Sequence, residues 1–237
     1  MPLVLFGALG ATTIAGPVAT PAAVIFDNDG LLLDSEAVWS RAEEDLFERR
    51  GLRFTLAHKR ELVGTSAQIS GAILARQLNE PGRDAELIAE LDGLVYVELE
   101  DGVEPMDGAP ELVERLRSAG TPIGLVSNSP LRFIHRALEI VGLADAFGVV
   151  VSGHEVAAPK PAPDPYLVAC EQLGVAAEPD VIVLEDSPTG VAAGIAAGLT
   201  VLGVPSLHGV SLDGAHEIHG SLREPALLER LGLDPTP

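Results

Sequence analysis

Five short apolar runs, separated by stretches with helical patterns, constrain the fold of this 237-residue chain more than any other feature. Val, Ile and Leu dominate each run, and polar residues do not alternate with them. Strands of this kind are buried on both faces, which is typical of parallel sheets. The runs lie at residues 22–26, 122–126, 148–151, 181–184 and 199–204.

The stretches between the later runs carry helical patterns, and three of them end just before a glycine. A glycine in the left-handed conformation commonly closes a helix. Alternating strands and helices predict an α/β doubly wound parallel sheet, with a ligand site at the carboxyl ends of the strands. The predicted helices span 109–119, 130–141, 165–173 and, near the C-terminus, 221–231.

The segment after the first run differs, because it shows no strand pattern between Asp34 and about Pro105. We expect Ser35 to cap a first helix that Gly51 ends, with further helices at 66–78 and 84–99. The segment is therefore predicted to be a helical insertion and not part of the sheet.

These patterns divide the chain into a core formed by 22–33 and 107–237, and an inserted all-helical cap at 34–106. Residues 1–21 are expected to be a loose N-terminal extension. They contain no Lys or Arg, and a secretory signal begins with basic residues.

Composition limits the partners and the compartment. The chain has 35 acidic and 15 basic residues, a formal net charge of -20. Such a charge repels nucleic acid and anionic membranes, so neither is an expected partner. The single cysteine, Cys170, excludes an internal disulfide framework and favours a cytoplasmic location. We expect a monomer or a weak dimer.

Four polar clusters follow the predicted strands, and the first is Asp27-Asn28-Asp29-Gly30. Two carboxylates two positions apart can face one pocket while the chain turns at the glycine. One carboxylate can attack phosphorus and the other can act as general acid and then base. The alternative is a solvated acidic turn.

The second and third clusters offer groups that bind anions. Ser127 and Asn128 precede a helix, where a hydroxyl and backbone N–H groups can hold a phosphate, although both residue types are also ordinary helix caps. Lys160 lies in a proline-rich loop, and a fixed ammonium there could neutralise a phosphoryl group. The alternative for Lys160 is a solvated surface lysine.

The fourth cluster is Glu185-Asp186-Ser187. Paired acids at a strand end can bind Mg²⁺ together with Asp27 and water. The alternative is an acidic helix N-terminus that the helix dipole stabilises. Each cluster has a simple structural explanation, but four clusters in this order at the ends of one sheet favour a shared active site.

These clusters resemble the motifs of the haloacid dehalogenase (HAD) superfamily of phosphotransferases, and the insertion resembles its helical-cap subgroup, which includes sugar-phosphate phosphatases and β-phosphoglucomutase. The likeness extends from Ala22 to about Val204. The matching segments are FDNDGLLLDSE, SNS, the loop around Lys160, and LEDSPTGVAAGIAAG.

The resemblance implies a role for each motif residue. Asp27 would be the nucleophile, and Asp29 the acid/base. Ser127 and Asn128 would hold the phosphoryl group, and Lys160 would balance its charge.

The resemblance also implies a Mg²⁺ cofactor and a small phosphorylated substrate. Asp186 would be the chief metal ligand beside Asp27, with Glu185 close by and the backbone carbonyl of Asp29 contributing. Asp29 argues against a dehalogenase, since dehalogenases that resemble this pattern generally lack the second acid.

Three functions remain in competition: a phosphatase, a β-phosphoglucomutase-like phosphomutase, and a catalytically idle binder of phosphorylated ligands. EVAAPKPAPD closely resembles the corresponding mutase segment. However, Trp39 and Gln68 occupy positions where the mutase has a histidine and an arginine, which favours hydrolysis. The intact motif residues argue against an idle binder. A cap loop containing Gly64, Thr65 and Ser66 is expected to contact the substrate, although it could equally be a plain turn.

Overall fold

The computed structural model describes residues 20–62, 67–206 and 210–235, except for the side chains of residues 67 and 68. Its centre is a parallel six-stranded sheet with the strand order β3-β2-β1-β4-β5-β6. All five predicted strands are confirmed. The strands are β1 (Ala23–Asp27), β2 (Ile123–Ser127), β3 (Val149–Ser152), β4 (Val181–Glu185), β5 (Thr200–Gly203) and β6 (Glu217–Ile218).

The sixth strand was missed because it lacks the pattern of the other five. It has two residues, and both Glu217 and Ile218 are exposed at the edge of the sheet. The strands β1, β2, β4 and β5 are buried along their whole length, as expected for strands covered on both faces. β1 lies between β2 and β4, so its carboxyl end is central.

Four helices occupy the insertion that follows β1. Three of them lie where helices were predicted, whereas the short helix Leu56–Leu62 was not predicted. The residue that caps the first helix is Asp34, one position before the expected cap. Its carboxylate accepts a hydrogen bond from the Ala37 N–H at 3.3 Å. The predicted cap, Ser35, is instead the first helical residue and is buried. The helices are α1 (Ser35–Glu48), α2 (Leu56–Leu62), α3 (Ala67–Gln77) and α4 (Asp84–Glu100).

The remaining helices flank the sheet. The last helix begins at Pro225, four residues later than predicted, because proline favours the first turn of a helix and the Ser221 hydroxyl accepts the Arg223 N–H in a preceding turn. These helices are α5 (Ala109–Ser118), α6 (Leu131–Ile140), α7 (Asp164–Leu173), α8 (Pro188–Ala196) and α9 (Pro225–Arg230).

The two chain segments that connect the inserted helices to the sheet are paired with each other. Leu33 and Pro105 form an antiparallel bridge. The Asp34 N–H donates to the Glu104 carbonyl, and the Met106 N–H donates to the Leu32 carbonyl, both at 2.9 Å. The helices therefore leave and rejoin the core through a short ribbon near the end of β1. The division into a cap at 34–106 and a separate core stays a prediction.

Aromatic and charged contacts join the inserted helices to α6. Phe133 is buried, with its ring centroid 6.2 Å from that of Tyr96 and 6.5 Å from that of Trp39. Arg136 donates to both carboxylate oxygens of Glu100, at 2.7 and 2.5 Å. The inserted helices thus pack against α6, the helix that follows β2.

Nearly all of the predicted N-terminal extension lies outside the described residues. Within the part of the chain that the structure describes, no helix is both long enough and apolar enough to cross a bilayer.

Burial in the sheet makes a direct prediction for stability. Leu125 in β2 is 0% exposed, whereas Leu167 on α7 is 41% exposed. Leu125→Ala should lower the free energy of unfolding by about 2–5 kcal/mol, because it removes buried apolar contacts and leaves a cavity. The matched control Leu167→Ala should change it by no more than about 0.5 kcal/mol. Urea denaturation followed by circular dichroism measures both; equal effects would contradict this packing.

Candidate active site

The Lys160 ammonium lies at the carboxyl ends of β1, β2 and β4. Its Nζ donates to Asp27 Oδ1 at 2.5 Å, to Glu185 Oε1 at 2.7 Å and to the Val126 carbonyl at 3.0 Å. All three charged side chains are buried. The geometry follows from the sheet, because parallel strands bring their last residues to one edge.

Asn128 fixes the loop that carries the lysine. Its Oδ1 accepts the Lys160 N–H at 3.0 Å, and its Nδ2 donates to the Lys160 carbonyl at 3.1 Å. A Cβ on Gly153 would lie 2.4 Å from Asn128 Oδ1, so the absence of a side chain at Gly153 makes room for this amide. The Asn128 side chain thus binds the lysine loop, and its contact with a phosphoryl group stays a prediction.

Asp29 is held by hydroxyl groups from the end of β2. Its Oδ2 accepts hydrogen bonds from Ser127 Oγ at 2.5 Å and Ser129 Oγ at 2.9 Å. Its Oδ1 accepts a hydrogen bond from Asn28 Nδ2 at 3.1 Å. Sequence reasoning gave a role to Ser127 but none to Ser129, although Ser129 belongs to the same SNS segment.

Glu185 is fully buried and accepts hydrogen bonds on both of its oxygens. Tyr166 Oη donates to Oε1 at 2.6 Å, and Ser187 Oγ donates to Oε2 at 3.0 Å. The Lys160 ammonium also lies 4.9 Å from the centre of the Tyr166 ring, a cation–π distance. Tyr166 therefore stabilises both the Glu185 carboxylate and the Lys160 ammonium. Sequence reasoning missed this role because an aromatic residue in a helix is usually part of the core.

Three carboxylates come together at this edge of the sheet, and two of them contact the Lys160 ammonium. Ligand oxygens of Asp27, Glu185 and Asp186 lie within 4.8 Å of one another. Asp186 Oδ2 accepts a hydrogen bond from Ser206 at 2.5 Å, whereas Asp186 Oδ1 is buried and has no partner among the described residues. Ser206 lies outside the four motifs, so no sequence pattern indicated this contact.

Burial and nearby negative charge raise the pKa of two of these carboxyl groups, Asp27 and Asp186. Burial raises the pKa of Asp27 well above its ordinary value, and the Glu185 carboxylate raises it further. Burial likewise raises the pKa of Asp186 to about 6, against an opposing hydrogen bond from Ser206. Burial alone would lower the pKa of Lys160, but the attraction of the carboxylates outweighs it and raises that pKa. The site therefore holds a protonated lysine and an excess of acidic groups.

A hard divalent cation fits this donor set. Mg²⁺ prefers carboxylate oxygens and takes few of them, keeping several waters. The cluster offers three carboxylates, and the buried oxygen of Asp186 lacks a donor from the described protein. A cation at this position would be a partner for Asp186 Oδ1 and would offset the negative charge of the three carboxylates.

Seven predicted site residues thus lie at one edge of the sheet, with Asp29 and Ser127 in one group of contacts and the other five in the cluster that includes Lys160. The remaining three, Gly64, Thr65 and Ser66, lie outside the described residues, so the cap loop stays a prediction. The residues at the edge are Asp27, Asp29, Ser127, Asn128, Lys160, Glu185 and Asp186.

Comparison with known proteins identifies the family. The family model for haloacid dehalogenase-like hydrolases matches residues 21–198. The chain belongs to this family. The match begins at the residues before β1 and includes all four polar clusters of the HAD-like site.

Curated relatives of this HAD-like hydrolase include two phosphatases. Hexitol phosphatase B of Escherichia coli K12 is 33% identical over 190 residues, covering 78% of this chain and 83% of the relative. Validoxylamine A 7'-phosphate phosphatase of Streptomyces hygroscopicus subsp. limoneus is 32% identical over 187 residues, covering 78% and 85%.

A solved structure shares the fold of this HAD-like hydrolase over most of its length. It is a HAD family hydrolase of Deinococcus radiodurans R1, solved with bound phosphate and sodium. The TM-score is 0.74 at 31% sequence identity, and the match covers 92% of this chain and 100% of the other.

Gly190 on α8 provides a test of how tightly Glu185 is packed. A Cβ at Gly190 would lie 1.6 Å from Glu185 Oε1, whereas a Cβ at Gly93 on α4 would meet nothing within 4 Å. Gly190→Ala should displace Glu185 and destabilise the protein by about 1–3 kcal/mol. Gly93→Ala, also within a helix, should instead stabilise it by about 0.4–1 kcal/mol. Thermal unfolding compares the two; a stabilised Gly190→Ala variant would show that Glu185 is not packed there.

Proposed function

We propose that this chain is a Mg²⁺-dependent phosphatase that hydrolyses a small phosphomonoester, such as a sugar phosphate, through an aspartyl-phosphate intermediate. The observation that carries the proposal is the buried contact between Lys160 and Asp27 at the sheet edge. A positive charge beside a strand-end carboxylate suits a nucleophile that must accept a phosphoryl dianion. The names of the two curated phosphatases support a small phosphorylated metabolite as the substrate.

In the first step, an Asp27 oxygen attacks phosphorus, and the bond from phosphorus to the leaving oxygen breaks. Lys160 holds Oδ1, which leaves Oδ2 for the attack. Asp29 gives its proton to the leaving alcohol. Fixing the attacking group in line with the leaving group supplies a large part of the rate acceleration in phosphoryl transfer.

In the second step, water attacks the phosphorus of the aspartyl phosphate. Asp29 takes a proton from that water, and the bond between phosphorus and the Asp27 oxygen breaks, which releases inorganic phosphate and restores the carboxylate. The hydroxyls of Ser127 and Ser129 hold Asp29, and this orientation suits a group that transfers a proton twice.

Charge on the phosphoryl oxygens needs positive partners. Lys160 supplies one, and the Asn128 backbone N–H, just before α6, would supply a hydrogen bond. The Ser127 hydroxyl would add another when it turns from Asp29 to the phosphoryl group. Asp27, Asp186, Glu185 and the Asp29 carbonyl would hold Mg²⁺, which would stabilise negative charge on the phosphoryl group when bound.

The inserted helices are proposed to act as the cap. The ribbon at Leu33 and Pro105 is the proposed hinge, because both chain connections between the inserted helices and the core pass through it. Closure would exclude bulk water from the aspartyl phosphate. The cap-loop residues Gly64, Thr65 and Ser66 are the proposed contacts that select the substrate.

A panel of phosphorylated sugars and sugar alcohols tests this function. We expect inorganic phosphate release that requires Mg²⁺, stops with EDTA, and returns when excess Mg²⁺ is added, since chelation removes the charge that balances the carboxylates. Colorimetric phosphate detection and chromatography of the sugar products measure the outcome. An isomeric sugar phosphate without free phosphate would instead support the phosphomutase, and binding without either product would support the idle binder.

Replacing the proposed nucleophile tests the covalent route. Asp27→Asn keeps the shape of the side chain but removes the attacking oxygen, so phosphate release should fall at least about 1,000-fold. Asp213→Asn, at an exposed position, should leave release unchanged. Steady-state kinetics on the best substrate of the panel compares the two, and circular dichroism confirms folding. Full activity in Asp27→Asn would exclude an aspartyl phosphate at this residue.

A further inference from the structure

The two carboxylate oxygens of Asp186 have different surroundings. Oδ2 accepts the Ser206 hydroxyl hydrogen bond at 2.5 Å. Oδ1 is buried without a partner among the described residues, and Asp186 contributes one oxygen to the cluster with Asp27 and Glu185. A buried carboxylate oxygen without a donor is costly unless a ligand reaches it. Oδ1 is therefore the oxygen of Asp186 that is free to bind a cation.

Two other segments of the chain converge on Oδ2. Gly30 follows β1 and has a φ of +89°, and a Cβ there would lie 2.2 Å from Asp186 Oδ2 and 3.1 Å from Ser206 Oγ. The Val204 N–H donates to the Glu185 carbonyl at 2.8 Å, which holds the chain after β5 beside the end of β4. The backbone thus brings the Ser206 hydroxyl to Asp186, and close packing against Gly30 keeps it there.

We propose that Ser206 is a positioning residue for the metal centre: its hydroxyl holds Oδ2 of Asp186 and so keeps Oδ1 directed at Mg²⁺. The inference rests on the proposed function, because it needs a cation at the acidic cluster. Ser206 does not itself contact the reacting atoms. Without its hydroxyl, the carboxylate is free to rotate and must be ordered when the cation binds.

Groups that orient metal ligands in this way are valuable for affinity, and their loss typically weakens metal binding by about 10–100-fold. We expect a rise of that size in the Kd for Mg²⁺ in Ser206→Ala. A second pair of variants repeats the comparison with matched volume: Ser206→Thr keeps a hydroxyl and should bind Mg²⁺ like the wild type, whereas Ser206→Val should lose affinity.

Ser118→Ala is the matched control. Ser118 on α5 also donates its hydroxyl to a carboxylate, Glu114 Oε1 at 3.2 Å, but the pair is exposed. Its removal should leave the Kd for Mg²⁺ unchanged.

Isothermal titration calorimetry of MgCl₂ into the substrate-free protein measures each Kd, and circular dichroism verifies that each variant is folded. A second measurement separates positioning from a general loss of structure: the Mg²⁺ concentration for half-maximal activity should rise in Ser206→Ala, while kcat at saturating Mg²⁺ stays near that of the wild type.

Two results would overturn the inference, and they are distinguishable. If the wild type binds Mg²⁺ and both Ser206→Ala and Ser206→Val bind it equally well, Ser206 has no role in positioning and the proposed function stands. If the wild type itself binds no Mg²⁺, the proposed metal dependence fails, and the role of Ser206 fails with it.

Discussion

The burial of one lysine among carboxylates is the interaction on which the rest of the site depends. Removing either Asp27 or Glu185 from water is costly, and the Lys160 ammonium within 2.7 Å of both offsets that cost. The remaining hydrogen-bonding capacity is also used, since Tyr166 and Ser187 donate to Glu185. These contacts stabilise the buried charges of Lys160 and Glu185 together, so the loop around Lys160, α7 and the end of β4 form one interdependent structure.

The same cluster explains how an acidic protein can accept an anionic ligand. The chain has a formal net charge of -20, which repels phosphorylated metabolites at long range. Binding must therefore come from local positive charge in a region of low dielectric, where an ammonium and a cation act strongly. Two of the three carboxylates in the cluster contact Lys160, and the third, Asp186, keeps a free oxygen. The cluster therefore offers both a ligand oxygen and uncompensated negative charge to a second positive ion.

The sequence predicted those parts of the molecule that follow from local patterns. Runs such as 181–184 indicated buried parallel strands, and the positions of Asp27, Ser127 and Glu185 at strand ends indicated one common edge. The same reasoning missed β6, because two exposed residues carry no apolar pattern. It also assigned the first helix cap to Ser35 and not to Asp34, because both types of side chain can accept the same N–H.

Contacts that depend on tertiary packing could not be predicted in the same way. Tyr166 and Ser206 reach Glu185 and Asp186 from segments far along the chain, and nothing in their local sequence marks them. The turn after β1 shows how closely such contacts are linked. Leu33 pairs with both Asp29 and Pro105, so the residues that position the second acid are also the origin of the inserted helices. A substitution that shifts the backbone at Leu33 is therefore expected to affect both the second acid and the attachment of the helices.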